Sequence, residues 1–391
     1  MNILFLYNET INPKVGGVEK ITFLLANYLE TKGVKVYFLG LMNKYPTQDS
    51  RQYFLPDPNS FNAKQNIDFY INFIQKNDIK YVINQGGTNP GISKLAFNSA
   101  FGGARLLTAI HNSPLANIIN FSESHRSQFS KKGLSFLLPI IQLNFVRKLV
   151  MNLYRLKYSN HYKSICVNSH YVILLSLLYK QELSFFTGKL ILNNVIGIHN
   201  PIQINEDLIE DKRKELLYVG RINTSQKRVD LLLKIWAKLF YKFPDWTLKV
   251  VGGGDELDYI KEMSSNLQLK NIVFYGFQNP QEFYASASIF CMTSSFEGLP
   301  MTLLEAMQKG VVPIAFSSFL SVSEIINDGI NGFLVEPFNI EQYVEILEKL
   351  MLDEKLINTT SIAARQKVKL FDFDLIGQKW IDIFNDKNVM N

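Results

Sequence analysis

The sequence predicts an α/β protein made of two doubly wound, Rossmann-like domains. Three observations carry that expectation. The 391 residues are too many for one ordinary hydrophobic core. Short apolar runs alternate with amphipathic stretches along both halves, and each run ends on a turn signal, the habit of βαβ units in a parallel sheet. The segment His199-Asn200-Pro201-Ile202, followed by a polar, acidic run to Glu215, separates one series from the next. Its proline fixes its own φ and restricts the residue before it, as suits a defined hinge.

In the first half the candidate strands are 2–7, 34–41, 80–84, 106–111 and 164–167. In the second they are 215–220, 247–252, 271–274, 288–292 and 311–315. The opening run, Asn2 to Tyr7, lacks a basic leader and a small-residue cleavage site, so it reads as a buried strand and points to a cytoplasmic location. Helical spacing follows at Ile21, Leu24, Leu25 and Tyr28, and again over 229–240. A final helix starts near Phe371, with Asp372 or Asp374 as its cap. The expected division is therefore 1–200, 201–370 and a terminal helical segment, 371–391, packing back on the first domain. Ligands belong at the carboxyl ends of the strands.

A hydrophobic content of 47% with 19% charged residues suits a globular chain with substantial cores. Cys166 and Cys291 lie far apart in apolar runs and read as buried free thiols. Residues 1–200 carry 21 Lys and Arg against 9 Asp and Glu, leaving 20 against 26 for residues 201–391. That asymmetry points the first half at an anionic partner. No acid occurs between Glu123 and Glu182, an interval holding Arg126, Lys131, Lys132, Arg147, Lys148, Arg155, Lys157, Lys163 and Lys180. Its apolar stretch, 133–146, is too short to span a bilayer and contains Pro139. Two readings stand: an apolar face lying in an anionic membrane surface, or a core helix with a solvated basic face. The lack of any offsetting acid favours the membrane. Nucleic-acid binding is disfavoured, because the positive charge comes without a recognisable binding motif.

Several motifs could carry chemistry. Gly16-Gly17 follows the first strand after a loop and precedes a helical pattern, so its amides could meet a phosphate. A plain βα turn explains it equally well, and it is not the dinucleotide fingerprint, which speaks against a nicotinamide-dependent oxidoreductase. Gly220-Arg221 opens the second domain's first loop, and Lys227-Arg228 stands just before a helix. A guanidinium can grip a diphosphate through two hydrogen bonds, while an ammonium acts as a point charge. Gly252-Gly253-Gly254 could let a base or ribose lie against the main chain, or form a tight turn. The sharpest segment is Glu297-Gly298-Leu299-Pro300-Met301 leading to Glu305. Pro300 is placed like the first residue of a helix, so the loop should present the amides of 298–301. Both glutamates could accept hydrogen bonds from sugar hydroxyls; taken singly, either could be an ordinary ion-pair residue. Asp372-Phe373-Asp374 spells the D-x-D of metal-dependent transferases but sits at a helix start. Of His111, His125, His161, His170 and His199, no pair has zinc-site spacing with an adjacent glutamate. His111 ends a candidate strand.

Taken in order, Gly16-Gly17-Val18-Glu19, His111-Asn112, Asn200-Pro201-Ile202, Gly220-Arg221 with Lys227, Gly252-Gly253-Gly254-Asp255 and Glu297 to Glu305 resemble the retaining family-4 glycosyltransferases of the GT-B fold, over nearly the full length. The resemblance implies two Rossmann-like domains facing a central cleft. It implies that Arg221 and Lys227 hold the diphosphate of a nucleotide-sugar donor and that Glu305 binds the ribose. Glu297 and the amides of Gly298, Leu299, Pro300 and Met301 would contact the transferred sugar and phosphate, and Gly16 and Gly17 would complete the phosphate site. His111 would sit beside the anomeric centre, orienting the sugar mainly through its carbonyl. The base would lie around 252–254 and 274–278, a stretch that includes Phe277. Arg228 stands where many relatives have glycine or asparagine, which suggests a more basic phosphate loop; Asn112 replaces a frequent aspartate.

The expected reaction is retaining transfer from a UDP- or GDP-sugar, UDP favoured, to a hydroxyl of a saccharide acceptor, lipid-linked in cell-surface polysaccharide assembly. No cofactor and no metal are expected, because protein cations and amides would stabilise the leaving diphosphate. A sugar-nucleotide epimerase is the alternative within the same fold.

Overall fold

A computed structural model describes residues 1–116, 118–123, 129, 133–188, 192–204 and 212–385. Both sheets are wholly parallel. The first contains β1 (Asn2–Glu9), β2 (Lys35–Met42), β3 (Gln52–Phe54), β4 (Ile79–Asn84), β5 (Arg105–Ile110), β6 (Tyr171–Leu174) and β7 (Val195–Gly197), in the order β3-β2-β1-β4-β5-β6-β7. The second contains β8 (Arg213–Val219), β9 (Thr247–Val251), β10 (Ile272–Gly276), β11 (Ala287–Met292), β12 (Val312–Phe316) and β13 (Phe333–Val335), in the order β10-β9-β8-β11-β12-β13. Each order runs outward from the first strand and then reverses, which is the doubly wound Rossmann arrangement. The reversal opens a crevice at the carboxyl ends of β1 and β4 in one sheet and of β8 and β11 in the other.

Parallel strands covered on both faces should be largely apolar, and the inner stretches of these are. Every residue of β11 and β12 is buried. Phe5 of β1 lies in register with Phe38 of β2 on one side and Ile83 of β4 on the other, and all three are fully buried. The second sheet's core gathers Trp236, Leu239, Ile289, Ile314 and Tyr343 from strands and helices alike.

The chain divides into two compact units: residues 1–114, 152–201 and 373–391, and residues 115–151 with 202–372. The first is thus not the continuous stretch 1–200. Residues 115–151 group with the second because Asn120 Nδ2 donates to the carbonyls of Ser295 (2.6 Å) and Ser318 (3.1 Å), while Glu123 pairs with Arg228 at 3.0 Å. The helix Phe373–Phe384 belongs to the first unit, where Phe373 packs on Tyr28 and Phe384 on Tyr81. Asp372 immediately precedes that helix and Asp374 lies in its first turn.

One expected strand is a helix. Residues 164–167 end the helix Asn144–Asn168, in which Tyr162, Ile165 and Cys166 are buried while Val167 is exposed. Burial at i, i+3 and i+4 is helical spacing, and four letters of which three are apolar could not separate the two periods. The short strands β3, β6, β7 and β13 were not anticipated; three or four residues give too few alternations to register.

Candidate active site

At the end of β8 the backbone turns at Gly220, and the loops after β8, β9 and β10 then join by main-chain bonds. Gly220 N donates to Val251 O (3.0 Å), Ile222 N to Gly253 O (2.8 Å) and Gly252 N to Gly276 O (2.8 Å). Gly252 takes φ 140°, and a Cβ there would collide with the carbonyl oxygen of Gly220. Glycine is therefore required at 252 for loop packing, whatever the loop holds. Phe277, 85% exposed, stands beside Gly253 with its ring free for a flat partner. The Arg221 side chain is exposed and has no partner among the described residues.

Lys227 sits six residues further on. Its Nζ pairs with Glu297 Oε1 at 2.6 Å, and Gln226 Nε2 donates to Glu297 Oε2 at 3.2 Å. Asn223 Oδ1 accepts from the amides of Gln226 (3.0 Å) and Lys227 (2.8 Å), which fixes the loop. Just after β11, Thr293 Oγ1 donates to the carbonyls of Lys227 (2.9 Å) and Arg228 (3.0 Å). The two loops flanking the crevice of the second sheet are thereby bolted together. Glu297 is buried although it stands in a loop.

The helix that follows is Met301–Gln308, with Pro300 as its N-cap at ψ 100°. Pro300 thus precedes the helix instead of opening it, because an extended ψ cannot begin the helical run. Having no amide hydrogen, it also drops out of the expected row of donors. The amides of Gly298, Leu299, Met301 and Thr302 have no acceptor among the described residues. They and the helix dipole favour an anion at this end. Ser295 Oγ is buried there without a partner. Glu305 lies one turn in and accepts from Tyr284 at 3.0 Å.

Arg228 does not enlarge the phosphate loop's charge. It is 1% exposed, pairs with Asp230 and Glu123, each at 3.0 Å, and lies over the Phe338 ring. Burial works against its charge, yet the bonds to Asp230 and Glu123 hold its pKa above the ordinary guanidinium value. It adopts φ 50°, a left-handed conformation that glycine and asparagine reach most easily. The expectation of a more basic loop is corrected on this ground: two carboxylates consume the added charge.

In the first unit, His111 directly follows β5. Its Nε2 makes a short bond to Gln85 Oε1, and its Nδ1 is buried without a partner. Burial pushes its pKa down to about 4. The imidazole is therefore neutral near pH 7, and because Gln85 Oε1 only accepts, Nε2 carries the hydrogen and Nδ1 offers a lone pair. Gly16 is the N-cap of the helix Gly17–Thr31. A Cβ at Gly16 would strike the carboxylate of Glu19, whereas the space beside Gly17 is open. Tyr7 donates to that carboxylate at 3.4 Å.

Residues 200–367 match the family of group 1 glycosyl transferases. The chain is 34% identical over 203 residues to an uncharacterized glycosyltransferase of Haemophilus influenzae, covering 51% of this chain and 57% of that one. Over 178 residues it is 33% identical to a lipopolysaccharide 1,6-galactosyltransferase of Escherichia coli, covering 43% and 49%. The chain spans about half the length of the curated relatives it matches. In fold it is similar to Anabaena HepE, solved with UDP, at a TM-score of 0.73 and 17% identity over 99% of this chain and all of that one. That likeness extends the GT-B fold to both units.

Within residues 200–367 the structure brings Lys227 and Glu297 into contact, with Gly298, Leu299 and Met301 following directly. Arg221, Gly220 and Gly252 to Gly254 line the neighbouring strand ends. His111, Gly16 and Gly17 lie in the other unit. Sequence reading missed Asn223, Gln226 and Thr293, which position the Lys227 loop, and Gln85, which orients His111. Thr293 and Gln85 had one usable signal, a polar residue immediately after a buried strand. No group of three or more His, Cys, Asp or Glu suited to a metal occurs among the described residues.

Proposed function

We propose that the chain transfers a sugar from a nucleotide-diphosphate sugar, UDP in preference to GDP, to a hydroxyl of a saccharide acceptor, with retention at the anomeric carbon. The observation that carries this reading is the row of unpaired amides at Gly298, Leu299, Met301 and Thr302, which opens a helix directly after Glu297, the partner of Lys227. Four N–H groups without acceptors and a cation could together cradle a diphosphate. The exposed, unpaired Arg221 adds a second cation, and Phe277 a face for the base. Glu297 and Glu305 supply acceptors for sugar and ribose hydroxyls.

As the bond from the anomeric carbon to the phosphate oxygen breaks, negative charge grows on the diphosphate, where Lys227, Arg221 and the amides are already aimed. The acceptor oxygen bonds to the same face of the sugar, and its proton passes to the departing phosphate oxygen. No metal is needed in this scheme, because the protein supplies the positive charge. His111, neutral near pH 7, does not act as an acid. Lys227 Nζ pairs with Glu297, so a diphosphate bound there would exchange one anion for another at Nζ.

The relatives' names and the UDP in HepE support the choice of donor and the place in cell-surface polysaccharide assembly. We take the acceptor as lipid-linked and the enzyme as peripheral on the inner face of the cytoplasmic membrane. The support is the helix Asn144–Asn168, which exposes Phe145, Leu149, Leu153 and Leu156 along one face and carries five cations but no acid. Lys131 and Lys132 lie outside the described residues. No helix among the described residues is long and apolar enough to cross a membrane.

A thermal-shift panel of UDP, GDP, ADP and their sugars tests the donor site. A UDP compound is expected to stabilise the chain, and Arg221→Ala should lower kcat/KM by about 100-fold or more with the melting temperature unchanged. Absence of any nucleotide shift, or near-normal turnover of Arg221→Ala, would overturn the reading. Donor supplied alone, with products checked for epimerisation, separates the transferase from an epimerase.

A further inference from the structure

Beside the donor loop lies a cavity of about 300 Å³ with no role in the scheme above. Its walls come from residues 118–123, from Ile141, Arg147, Val150 and Met151, and from Pro337 and Phe338, all in the second unit. Three features define what it could take. The lining side chains Ile118, Phe121, Ile141, Val150, Met151 and Phe338 are apolar, while Asn120 and Ser122 add polar groups. Of the two ionic groups, Glu123 is already spent on Arg228 at 3.0 Å. That leaves Arg147, exposed and without a carboxylate partner among the described residues, as the cavity's available charge.

The apolar part of the wall favours a hydrocarbon segment in the occupant, and a guanidinium without a carboxylate partner at its edge favours an anion. One molecule with both parts meets the two demands together. The same helix that lends Arg147, Val150 and Met151 to the cavity turns Phe145 and Leu149 outward on its opposite face, both more than half exposed. An amphiphile lying in an interface along that outer face would find the cavity immediately behind the helix. Glu123 connects the space to the chemistry, because Arg228, which it binds, neighbours the Lys227 that pairs with Glu297.

We propose that this cavity binds the first hydrocarbon segment of an anionic, phosphate-bearing lipid, with the phosphate on Arg147, and so seats the carrier of the acceptor saccharide next to the donor loop. The proposal rests on the acceptor being lipid-linked and is independent of which nucleotide is the donor.

The test is isothermal titration of the full chain with dodecyl phosphate below its micelle concentration, alongside dodecyl maltoside and inorganic phosphate. Dodecyl phosphate should bind at one site, dodecyl maltoside about tenfold more weakly, and inorganic phosphate without measurable heat. Val150→Trp, which fills the cavity, should weaken dodecyl phosphate binding at least about tenfold while leaving the UDP-induced thermal shift intact. Met151→Phe serves where Val150→Trp does not fold. Arg147→Gln should weaken dodecyl phosphate and leave dodecyl maltoside unchanged. The proposal is overturned if dodecyl phosphate does not bind, if a cavity-filling variant that still responds to UDP binds it like the wild type, or if inorganic phosphate binds equally well. Loss of the UDP response in the wild type would instead strike the donor reading.

Discussion

His111 and Arg228 are both buried, but burial acts on them in opposite ways because only one has counter-charges. His111 faces a neutral amide, so its folded pKa falls to about 4, below the usual 6.5 of an unfolded histidine. The unfolded chain then binds a proton that the folded chain refuses, and stability falls as pH drops from about 6.5 towards 4, by about 1.4 kcal/mol per pH unit from this residue. Urea unfolding at pH 7 and pH 5 should show that loss, and His111→Gln should remove this part of it; an unchanged pH dependence in the variant would contradict the assignment. Arg228 keeps its charge through Asp230 and Glu123. Removing it strands two carboxylates, so Arg228→Ala should cost about 3–5 kcal/mol. Arg228→Gly should cost about 1 kcal/mol less, because glycine adopts φ 50° without strain. Equal losses in the two variants would show that the left-handed backbone carries no strain.

Strand ends and the loops beyond them decide the donor site. Three loops after β8, β9 and β10 hydrogen-bond to one another, and the β8 and β11 loops meet through Thr293, Gln226 and Lys227. Such contacts leave little tolerance for added atoms. Gly252→Ala combines a collision with Gly220 O and an unfavourable φ, and should destabilise the second unit by about 2–4 kcal/mol. Chemical denaturation followed by Trp236 and Trp246 fluorescence would measure it. A loss under about 0.5 kcal/mol would mean the loop can shift aside. On the other side of the crevice, Pro300 sets where the helix Met301–Gln308 starts and so which amides remain unpaired.

At the scale of the molecule, two Rossmann-type sheets are built by one chain that passes between them more than twice. The helix Phe373–Phe384 returns to the first unit, where Trp380 is 5% exposed and shares a core with Leu25, Leu29 and Tyr81. Truncation of a buried tryptophan leaves a large cavity, so Trp380→Ala should cost about 3–5 kcal/mol. Calorimetry should place that loss in the transition of the first unit, while UDP raises the transition of the second. A UDP-sensitive transition lowered equally by Trp380→Ala would indicate that the two units unfold as one.

The sequence by itself determined the class of fold and the chemistry-bearing letters. Buried parallel strands must be apolar on both faces, so β1, β2, β4, β5 and β8 to β12 were visible as runs, and Glu297 to Glu305 stood out by type and spacing. Tertiary structure alone decided the partners. That Lys227 reaches Glu297 across 70 residues, that Arg228 turns inward to Glu123 and Asp230, and that Gly252 is glycine because another loop's carbonyl lies against it are facts of distance between segments remote in the chain. Local patterns record periodicity and composition. They do not record which loop a side chain will meet, because that depends on strand order, and strand order is settled by packing the whole sheet. The same reason governs residues 164–167: a serine and three apolar letters fit either period, and the burial of Tyr162, Ile165 and Cys166 against their neighbours selected the helix.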